Sequence, residues 1–163
     1  MSAAVFLSGR DLVLLGVVKG HSNGAIQPAG VDLSVGEIES LADAGFLGKD
    51  DKIMPKGDRI QCEYGVCELE PGAYRLRFNE AVSIPPGHVG FCFPRSSLLR
   101  MGCYLGCAVW DPGYTGRGQA MLLVANPHGL RLEIGSRVAQ LVVARVEGPL
   151  TSLYKGDYQG EGL

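Results

Sequence analysis

The segment Ala-Tyr-Arg-Leu-Arg-Phe, from Ala73 to Phe78, alternates apolar and polar side chains. Since successive side chains of a strand point to opposite faces of a sheet, this alternation predicts a half-buried β-strand. The run Val138–Val143 is apolar nearly throughout, which predicts a fully buried strand. Further short segments separated by Gly, Pro or Asn are also expected to be strands. They are Ile60–Glu70, Ala81–Ile84, His88–Phe93, Leu105–Trp110, Ala120–Ala125, Leu130–Ile134 and Arg137–Val146.

The composition fits many short elements joined by tight turns. The 163 residues include 24 glycines and 9 prolines, and 46% of all residues are hydrophobic. This apolar content excludes a disordered chain, and the glycines show no collagen-like period. The sequence therefore predicts one all-β domain over residues 1–163, a β-sandwich or jelly-roll-like barrel with one or two short helices.

The two ends of the chain and one internal segment depart from the strand pattern. Ser8-Gly-Arg-Asp11 is a capping box that predicts a helix to about Val18, with Gly20 as its stop. A short strand is expected around Val31–Val35. Residues 36–58 are rich in charges and Gly, which indicates a surface loop. The Gly-rich tail, residues 156–163, is expected to be mobile.

Charge and cysteine content limit the function classes. A net charge of −2 with 20% charged residues argues against a nucleic-acid binder with a broad basic surface. No apolar stretch is long enough to span a bilayer. The five cysteines lack usual zinc-ligand spacing and are interpreted as buried small hydrophobic residues. Their odd number, without a hydrophobic leader, favours a mostly reduced cytoplasmic protein.

The first chemical motif reads Phe-Pro-Arg-Ser-Ser-Leu-Leu-Arg, from Phe93 to Arg100. Two hydroxyls, on Ser96 and Ser97, follow Arg95, and the two leucines predict the start of a short helix. Backbone N–H groups, hydroxyls and a guanidinium that converge on one point suit a phosphate. A capped turn with solvated arginines is the alternative interpretation of the same residues.

The second motif reads Val-Trp-Asp-Pro-Gly-Tyr-Thr-Gly, from Val109 to Gly116. Asp-Pro-Gly forms a tight turn directly after an apolar strand, so Asp111 is predicted at a strand end beside a hairpin. A carboxylate in that place suits the orientation or deprotonation of a water, or the binding of a sugar hydroxyl. The alternative is an Asx turn whose side chain caps its own backbone.

The third motif reads Gly-Ser-Arg-Val-Ala-Gln-Leu, from Gly135 to Leu141. Arg137 and Gln140 are polar residues at the start of an otherwise apolar strand. A half-buried amide must find hydrogen-bond partners. A ligand phosphate would satisfy Gln140, and a backbone group of a neighbouring strand would do so equally well.

Together with the segment Ala29–Leu33, these motifs resemble, in order and spacing, the first four motifs of the trimeric dUTP pyrophosphatases and of their sister group, the dCTP deaminases. The matching pieces are Pro94–Leu98, Asp111–Gly116 and Arg137–Leu141. The resemblance extends from Leu7–Asp11 to Tyr154–Gln159. It implies a distorted jelly roll or β-barrel that assembles as a homotrimer, with active sites between subunits.

The resemblance also implies a role for each motif residue. The phosphates of a deoxynucleoside triphosphate would be held by Arg95, Ser96, Ser97, Arg100 and Gln140. Asp111 would meet the 3′-hydroxyl and the attacking water, and Tyr114 would pack on the deoxyribose and leave no room for a 2′-hydroxyl. Mg²⁺ would be held mainly by the triphosphate and waters, so no dedicated protein ligands are needed.

The choice between hydrolysis and deamination depends on one position. The deaminases resembled here carry a proton-transferring Glu three residues before an Asn that ends the strand after the hairpin. The matching residue is Leu123, before Asn126, and no residue from Gly118 to Gly129 is acidic. The sequence therefore favours Mg²⁺-dependent hydrolysis of dUTP to dUMP and pyrophosphate. A dCTP deaminase, alone or bifunctional, and a non-catalytic deoxynucleotide-binding regulator are the alternatives.

The C-terminal segment Tyr-Lys-Gly-Asp-Tyr-Gln differs from the Gly-rich, Phe-containing fifth motif of ordinary dUTP pyrophosphatases. A deaminase-like frame without the Glu looks like the archaeal-type dUTP pyrophosphatases. By that resemblance Tyr158 would stack on the uracil, and Tyr154 and Gln159 would reach phosphates. Asp157 stands where the deaminases have Lys, a phosphate contact that Lys155 would take over.

Overall fold

The computed structural model describes residues 5–163. Within them the chain forms 15 mostly short strands and two short helices. In chain order these elements are α1 (Gly9–Leu14), β1 (Val18–Lys19), β2 (Ile26–Gln27), β3 (Gly30–Leu41), β4 (Phe46–Leu47), β5 (Lys52–Ile53), β6 (Gly57–Arg59), β7 (Val66–Leu69), β8 (Gly72–Phe78), β9 (Ala81–Ser83), β10 (His88–Pro94), α2 (Ser96–Arg100), β11 (Cys103–Gly106), β12 (Thr115–Gly116), β13 (Gln119–Val124), β14 (Leu130–Glu133) and β15 (Arg137–Arg145). Neither helix has the length or the apolar character to cross a membrane.

Eight strands form the main sheet: six follow the order β10-β15-β3-β8-β13-β11, β2 and β6 also pair with β3, and every neighbouring pair is antiparallel. The outer strands β10 and β11 contact each other, so the sheet is nearly closed. Smaller sheets are formed by β1-β9-β12, by β14 with β7, and by β4 with β5. The predicted all-β jelly-roll or barrel architecture is confirmed.

The core lies inside this curved sheet because its strands alternate as the sequence indicates. On β8, Tyr74, Leu76 and Phe78 are buried, while Arg75 and Arg77 face outward and are half-buried. Strands β13 and β15 bury their apolar residues against this face. Since an aliphatic or aromatic side chain that is fully buried contributes about 1.5–3 kcal/mol, this packing is the main source of stability.

One buried carboxylate connects two sheets. Glu80 is 1% exposed and accepts hydrogen bonds from the backbone N–H of Ser34, at 2.8 Å, and from its hydroxyl, at 2.7 Å. These bonds join β3 to the turn that precedes β9. Because both Ser34 donors are in the interior, they depend on this carboxylate rather than on water.

The first helix is shorter than predicted. Ser8 caps it as expected, since its hydroxyl accepts from the N–H of Asp11 at 3.2 Å. The helix ends at Leu14 rather than near Val18, because Gly16 takes a left-handed conformation (φ 68°). Val18 instead pairs with Val82 as a strand. The stop is therefore Gly16 and not Gly20.

The prediction of a surface loop over residues 36–58 is wrong for much of its length. Strand β3 continues to Leu41, and β4, β5 and β6 also lie in this segment. The charges on β3 are outward members of an alternating strand. Glu39 accepts from Arg75 Nε at 2.8 Å, and Glu37 accepts from Arg77 Nη1 at 3.2 Å, while Ile38 between them is buried.

The expected strand Ile60–Glu70 is also interrupted, since only Val66–Leu69 is regular. Tyr64 (φ 51°) and Gly65 (φ 82°) form a left-handed turn in its middle. A disulfide joins Cys62 to Cys67 across this turn, with a Cα–Cα distance of 4.2 Å. The interpretation of all five cysteines as reduced, buried small residues is therefore wrong for this pair.

Candidate active site

Asp111 lies at the tip of a hairpin that presents its carboxylate to solvent. Trp110 pairs with Gly90 as an isolated bridge, and the chain then reverses through Pro112 and Gly113, where a φ of 90° favours glycine. Asp111 is exposed, and no side chain or backbone group of residues 5–163 hydrogen-bonds its carboxylate. The self-capping alternative is thus not observed, and the carboxylate is free to bind an incoming group.

Two cavities meet at Asp111. The larger, of about 550 Å³, is also lined by Val89, Pro112 and the segment Leu150–Lys155. The smaller, of about 200 Å³, is lined by the following aromatic, polar and apolar residues: Met54, Ala108, Val109, Trp110, Tyr114, Gln119, Tyr154, Tyr158 and Glu161. Asp111 therefore stands at the mouth of an aromatic pocket, the shape that a flat base and a sugar require.

Tyr114 forms the inner wall of the aromatic pocket. It is 5% exposed, and its ring centroid lies 5.5 Å from that of Trp110 and 5.7 Å from that of Tyr154. Its hydroxyl donates to Glu161 Oε1 at 2.8 Å. Burial, together with this carboxylate, raises the pKa of the Tyr114 phenol well above its ordinary value. The ring is therefore a neutral, rigid surface.

The C-terminal tail lies against the hairpin of its own chain. The Gln159 amide accepts from the N–H of Thr115 at 3.0 Å and donates to the carbonyl of Gly113 at 2.9 Å. Backbone bonds follow from Gly160 N–H to the carbonyl of Thr115, at 2.8 Å, and from Arg117 N–H to that of Glu161, at 2.8 Å. Gln159 thus contacts the hairpin in this structure.

The β4–β5 hairpin also contacts the tail. Lys52 Nζ lies 2.6 Å from a carboxylate oxygen of Asp157 and 5.0 Å from the centroid of the Tyr158 ring. The Tyr158 hydroxyl lies 3.9 Å from Met54 Sδ. Lys155 lines the larger cavity beside Asp111. Asp157 stands where the deaminases resembled here have a Lys, and two other lysines, Lys52 and Lys155, lie in this part of the structure.

The phosphate-binding motif begins where β10 ends. Arg95 is the residue before α2, with its N–H donating to the carbonyl of Val138 at 2.9 Å. Ser96, Ser97 and Arg100 are exposed. Arg95 and Ser97 line a third cavity, of about 490 Å³, together with Arg137 and its neighbours. Ser97, Arg95 and Arg137 therefore border one cavity, an arrangement that suits phosphate binding.

A buried carboxylate organises these arginines, and our sequence interpretation assigned it no role. Asp32 is 1% exposed, and its Oδ2 accepts hydrogen bonds from Gln27 Nε2 at 3.0 Å and Arg137 Nη1 at 3.2 Å and forms an ion pair with Arg95 Nε at 3.1 Å. Gln140 lies opposite Asp32 in the β15–β3 pairing. One sequence signal could have indicated this role: Asp32 is a charged residue between the apolar residues of the Ala29–Leu33 motif.

Gly30 allows β3 and β15 to come together at this place. A Cβ at residue 30 would lie 2.2 Å from the carbonyl oxygen of Leu141 and 3.1 Å from the side chain of Gln140. No other residue type fits that approach, which accounts for the glycine in the motif. Gln140 is thereby held at the edge of the cluster formed by Asp32 and the arginines.

The predicted site residues form two groups on the chain. Asp111, Tyr114, Tyr154 and Tyr158 line the aromatic pocket, and Gln159 and Glu161 adjoin them. Arg95 and Gln140 adjoin Asp32, and Ser96, Ser97 and Arg100 follow Arg95 on α2. The two cavities at Asp111 do not include Arg95, and the cavity at Arg95 does not include Asp111.

The donor set of the described residues fits a metal that arrives with the nucleotide. No group of three or more His, Cys, Asp or Glu side chains comes together among residues 5–163. Asp111 offers a single exposed carboxylate. Mg²⁺ keeps several waters and is commonly bound through one or two carboxylates plus substrate phosphates, which these residues can accommodate.

Comparison with known proteins identifies the family. The family model described as dCTP deaminase-like matches residues 11–146. The chain belongs to the dCTP deaminase-like family. The probable deoxyuridine 5′-triphosphate nucleotidohydrolase of Aeropyrum pernix is 96% identical over 159 residues, which cover 98% of this chain and 100% of that protein. A Halobacterium salinarum protein of the same name is 41% identical over 143 residues, or 83% of this chain and 84% of that protein.

Two solved structures share the fold of this chain. The 2′-deoxycytidine 5′-triphosphate deaminase of Agrobacterium tumefaciens superposes with a TM-score of 0.70 at 18% identity, over 91% of this chain and 50% of that one. The native EIAV dUTPase gives a TM-score of 0.51 at 15% identity, over 94% and 98% of the two chains. At these identities, the similarity shows the fold of the chain and nothing more.

Leu123, the position at which the deaminases resembled here carry a Glu, faces outward from β13 and is not among the residues that line the aromatic pocket. It is 37% exposed and lies opposite Ala73 on β8 and Tyr104 on β11. The strand Gln119–Val124 carries no acidic residue. The side of the aromatic pocket formed by β13 therefore offers the Gln119 amide and no group that transfers a proton.

Proposed function

We propose that this protein hydrolyses dUTP to dUMP and pyrophosphate. The single observation that carries the proposal is the Asp111 hairpin, where a free carboxylate borders an aromatic pocket whose β13 side lacks an acid. Relatives with the name deoxyuridine 5′-triphosphate nucleotidohydrolase, one of them 96% identical, support the same reaction. A dNTP substrate also favours a cytoplasmic location.

The chemistry follows from the two groups of residues. Asp111 orients the attacking water and accepts its proton as the bond to the α-phosphorus forms. Tyr114 packs on the deoxyribose, and Tyr158 covers the base. The phosphate contacts come from Arg95, Ser96, Ser97, Arg100 and Gln140, with Tyr154 reaching the nucleotide from the tail, while the Gln159 amide holds the tail on the hairpin. Mg²⁺, when bound with the triphosphate, neutralises charge on the leaving pyrophosphate.

We place the complete site between subunits of a homotrimer. The two groups of predicted residues line separate cavities on one chain. Near the predicted phosphate-binding residues, several apolar side chains are exposed. They are Phe93 at 56%, Leu99 at 48%, Met101 at 53% and Tyr104 at 50%. Apolar side chains grouped in this way are typical of an interface between subunits. In such a trimer, Arg95 of one subunit would meet Asp111 of another.

Complementation between inactive chains tests this assembly. Asp111→Asn and Arg95→Ala are each expected to abolish most turnover, with Asp111→Asn still binding dUTP. In randomly co-assembled trimers of the two variants, about a quarter of the sites combine an intact Asp111 with an intact Arg95 from the next subunit. Co-expression should therefore restore about a quarter of wild-type activity. The control is Asp111→Asn expressed alone. If the co-expressed variants hydrolyse dUTP no faster than this control, the site is not shared between subunits.

Product analysis separates hydrolysis from the alternatives. With Mg²⁺, the purified protein should convert dUTP to dUMP and pyrophosphate, leave dCTP unchanged and act poorly on UTP. Ammonia released from dCTP with dUTP left intact would establish a deaminase instead. Tight dUTP binding without any product would establish a regulator.

A further inference from the structure

The tail residue Glu161 contacts the residue that we expect to exclude ribonucleotides. Its carboxylate accepts a hydrogen bond from the Tyr114 hydroxyl, with 2.8 Å between the two oxygens, and both residues line the aromatic pocket. Glu161 is half-buried, in contrast to most residues of the tail. Hydrogen bonds to charged acceptors are stronger than those between neutral groups, so this contact restrains the end of the ring.

The backbone places Glu161 at this position. Arg117 N–H donates to the carbonyl of Glu161, and Gly160 N–H donates to that of Thr115, each at 2.8 Å. A Cβ at Gly116 would lie 2.7 Å from the Tyr114 hydroxyl oxygen and 3.1 Å from Cγ of Glu161. The absence of a side chain at residue 116 therefore leaves the space in which the phenol and the carboxylate meet.

The remaining contacts of the Tyr114 ring do not fix its hydroxyl. Trp110 and Tyr154 pack on the ring with interplanar angles of 41° and 75°. Such contacts act on the body of the ring, whereas the hydrogen bond at the hydroxyl fixes its outer end. Burial and the Glu161 carboxylate also raise the pKa of the phenol, so it remains a donor at neutral pH.

We propose that Glu161 is a positioning residue that fixes the Tyr114 ring against the sugar and thereby sets the selectivity for deoxyribonucleotides over ribonucleotides. The inference rests on the proposed dUTP hydrolysis. The substrate contacts Tyr114, and Glu161 acts through it. A ring released from Glu161 moves away from C2′ and makes room for a hydroxyl there. The kcat/KM for UTP should therefore rise by a larger factor than the kcat/KM for dUTP falls.

The test first compares three variants by kcat and KM for dUTP and UTP. Glu161→Ala should reduce the dUTP-to-UTP ratio of kcat/KM about fivefold to tenfold, somewhat less than a fully buried hydrogen bond to a charged group contributes, because Glu161 is only half-buried. Glu161→Gln should retain the ratio, because its amide oxygen still accepts from the phenol. Glu147→Ala removes an exposed glutamate elsewhere on the chain and should change nothing.

A double-mutant cycle with Tyr114→Phe isolates the contact. Tyr114→Phe should reproduce the loss of selectivity, and adding Glu161→Ala to it should have no further effect. An unchanged ratio in Glu161→Ala, or additive effects in the double variant, would overturn the proposal. Tyr114→Phe alone also suffices if Glu161→Ala does not fold, because an unchanged ratio there is equally contradictory.

Binding measurements keep this inference separate from the proposed reaction. Trp110 is the only tryptophan of the chain and lies 5.5 Å from the Tyr114 ring, so its fluorescence reports nucleotide binding. Titration with non-hydrolysable dUTP and UTP analogues gives the selectivity without turnover. Failure of the wild-type protein to cleave dUTP would contradict the reaction, while the analogue selectivity of the variants would still decide the role of Glu161.

Discussion

Replacement of Asp32 by Asn tests whether the buried carboxylate holds the phosphate-binding arginines in place. Three donors converge on Asp32 Oδ2 at 3.0–3.2 Å, two of them guanidinium groups. Asparagine has nearly the same shape but lacks the charge, and its NH₂ group faces donors if the amide is turned. The substitution therefore weakens the restraint on Arg95 and Arg137 without creating a cavity.

The expected loss of stability in Asp32→Asn depends on the burial of the carboxylate and on the partial exposure of the two arginines. Hydrogen bonds to charged groups contribute about 1.5–3 kcal/mol each, but both arginine side chains are 32% exposed and partly screened by solvent. We expect a loss of about 2 kcal/mol in the free energy of unfolding, equivalent to a fall of roughly 4–8 °C in Tm for a chain of this size. A displaced Arg95 should lower kcat/KM for dUTP about tenfold to a hundredfold.

Two assays on the same preparation check both effects. Thermal unfolding gives the Tm, and initial rates of pyrophosphate release from dUTP give kcat/KM. Asp50→Asn, at an exposed position in the β4–β5 hairpin, is the matched control and should behave as wild type. A folded Asp32→Asn protein with unchanged kcat/KM would refute the reasoning, since the arginines would then be in place without the carboxylate.

Three further substitutions test other parts of the account. Tyr114→Ala should open space for a 2′-hydroxyl and raise UTP hydrolysis relative to dUTP at least tenfold in kcat/KM; an unmoved ratio would show that the ring does not exclude the ribose. Glu80→Ala removes the acceptor of two buried Ser34 donors, so the unfolding free energy should fall by about 3 kcal/mol in chemical denaturation, and a change below ~0.5 kcal/mol would contradict this. Gly30→Ala should separate β3 from β15, because its Cβ meets the Leu141 carbonyl oxygen, and wild-type thermal stability would disprove that close approach.

Features that depend on neighbouring residues could be predicted from the sequence. The Ser8 cap requires only Asp11, and the alternation from Tyr74 to Phe78 requires only the period of a strand. The turn after Asp111 follows in the same way from Pro112 and the next glycine. The all-β architecture was predictable because many such local signals agree.

Features that depend on distant residues could not be predicted. The charges of Glu37 and Glu39 indicate a loop until the arginines of β8, some 36 to 40 residues away, are placed opposite them. The role of Asp32 appears only when β15 and the residue after β10 approach it. Glu161 likewise contacts Tyr114 across 47 residues of sequence. No single sequence contains these pairings in its local pattern.

Hydrolysis of dUTP in ¹⁸O-labelled water, with Mg²⁺ and followed by mass spectrometry of both products, tests the central claim most directly. Attack of the water held by Asp111 at the α-phosphorus predicts one ¹⁸O atom in dUMP and none in pyrophosphate. A parallel reaction with dCTP should give no deaminated nucleotide. Intact dUTP, label in the pyrophosphate, or conversion of dCTP to dUTP would contradict the account.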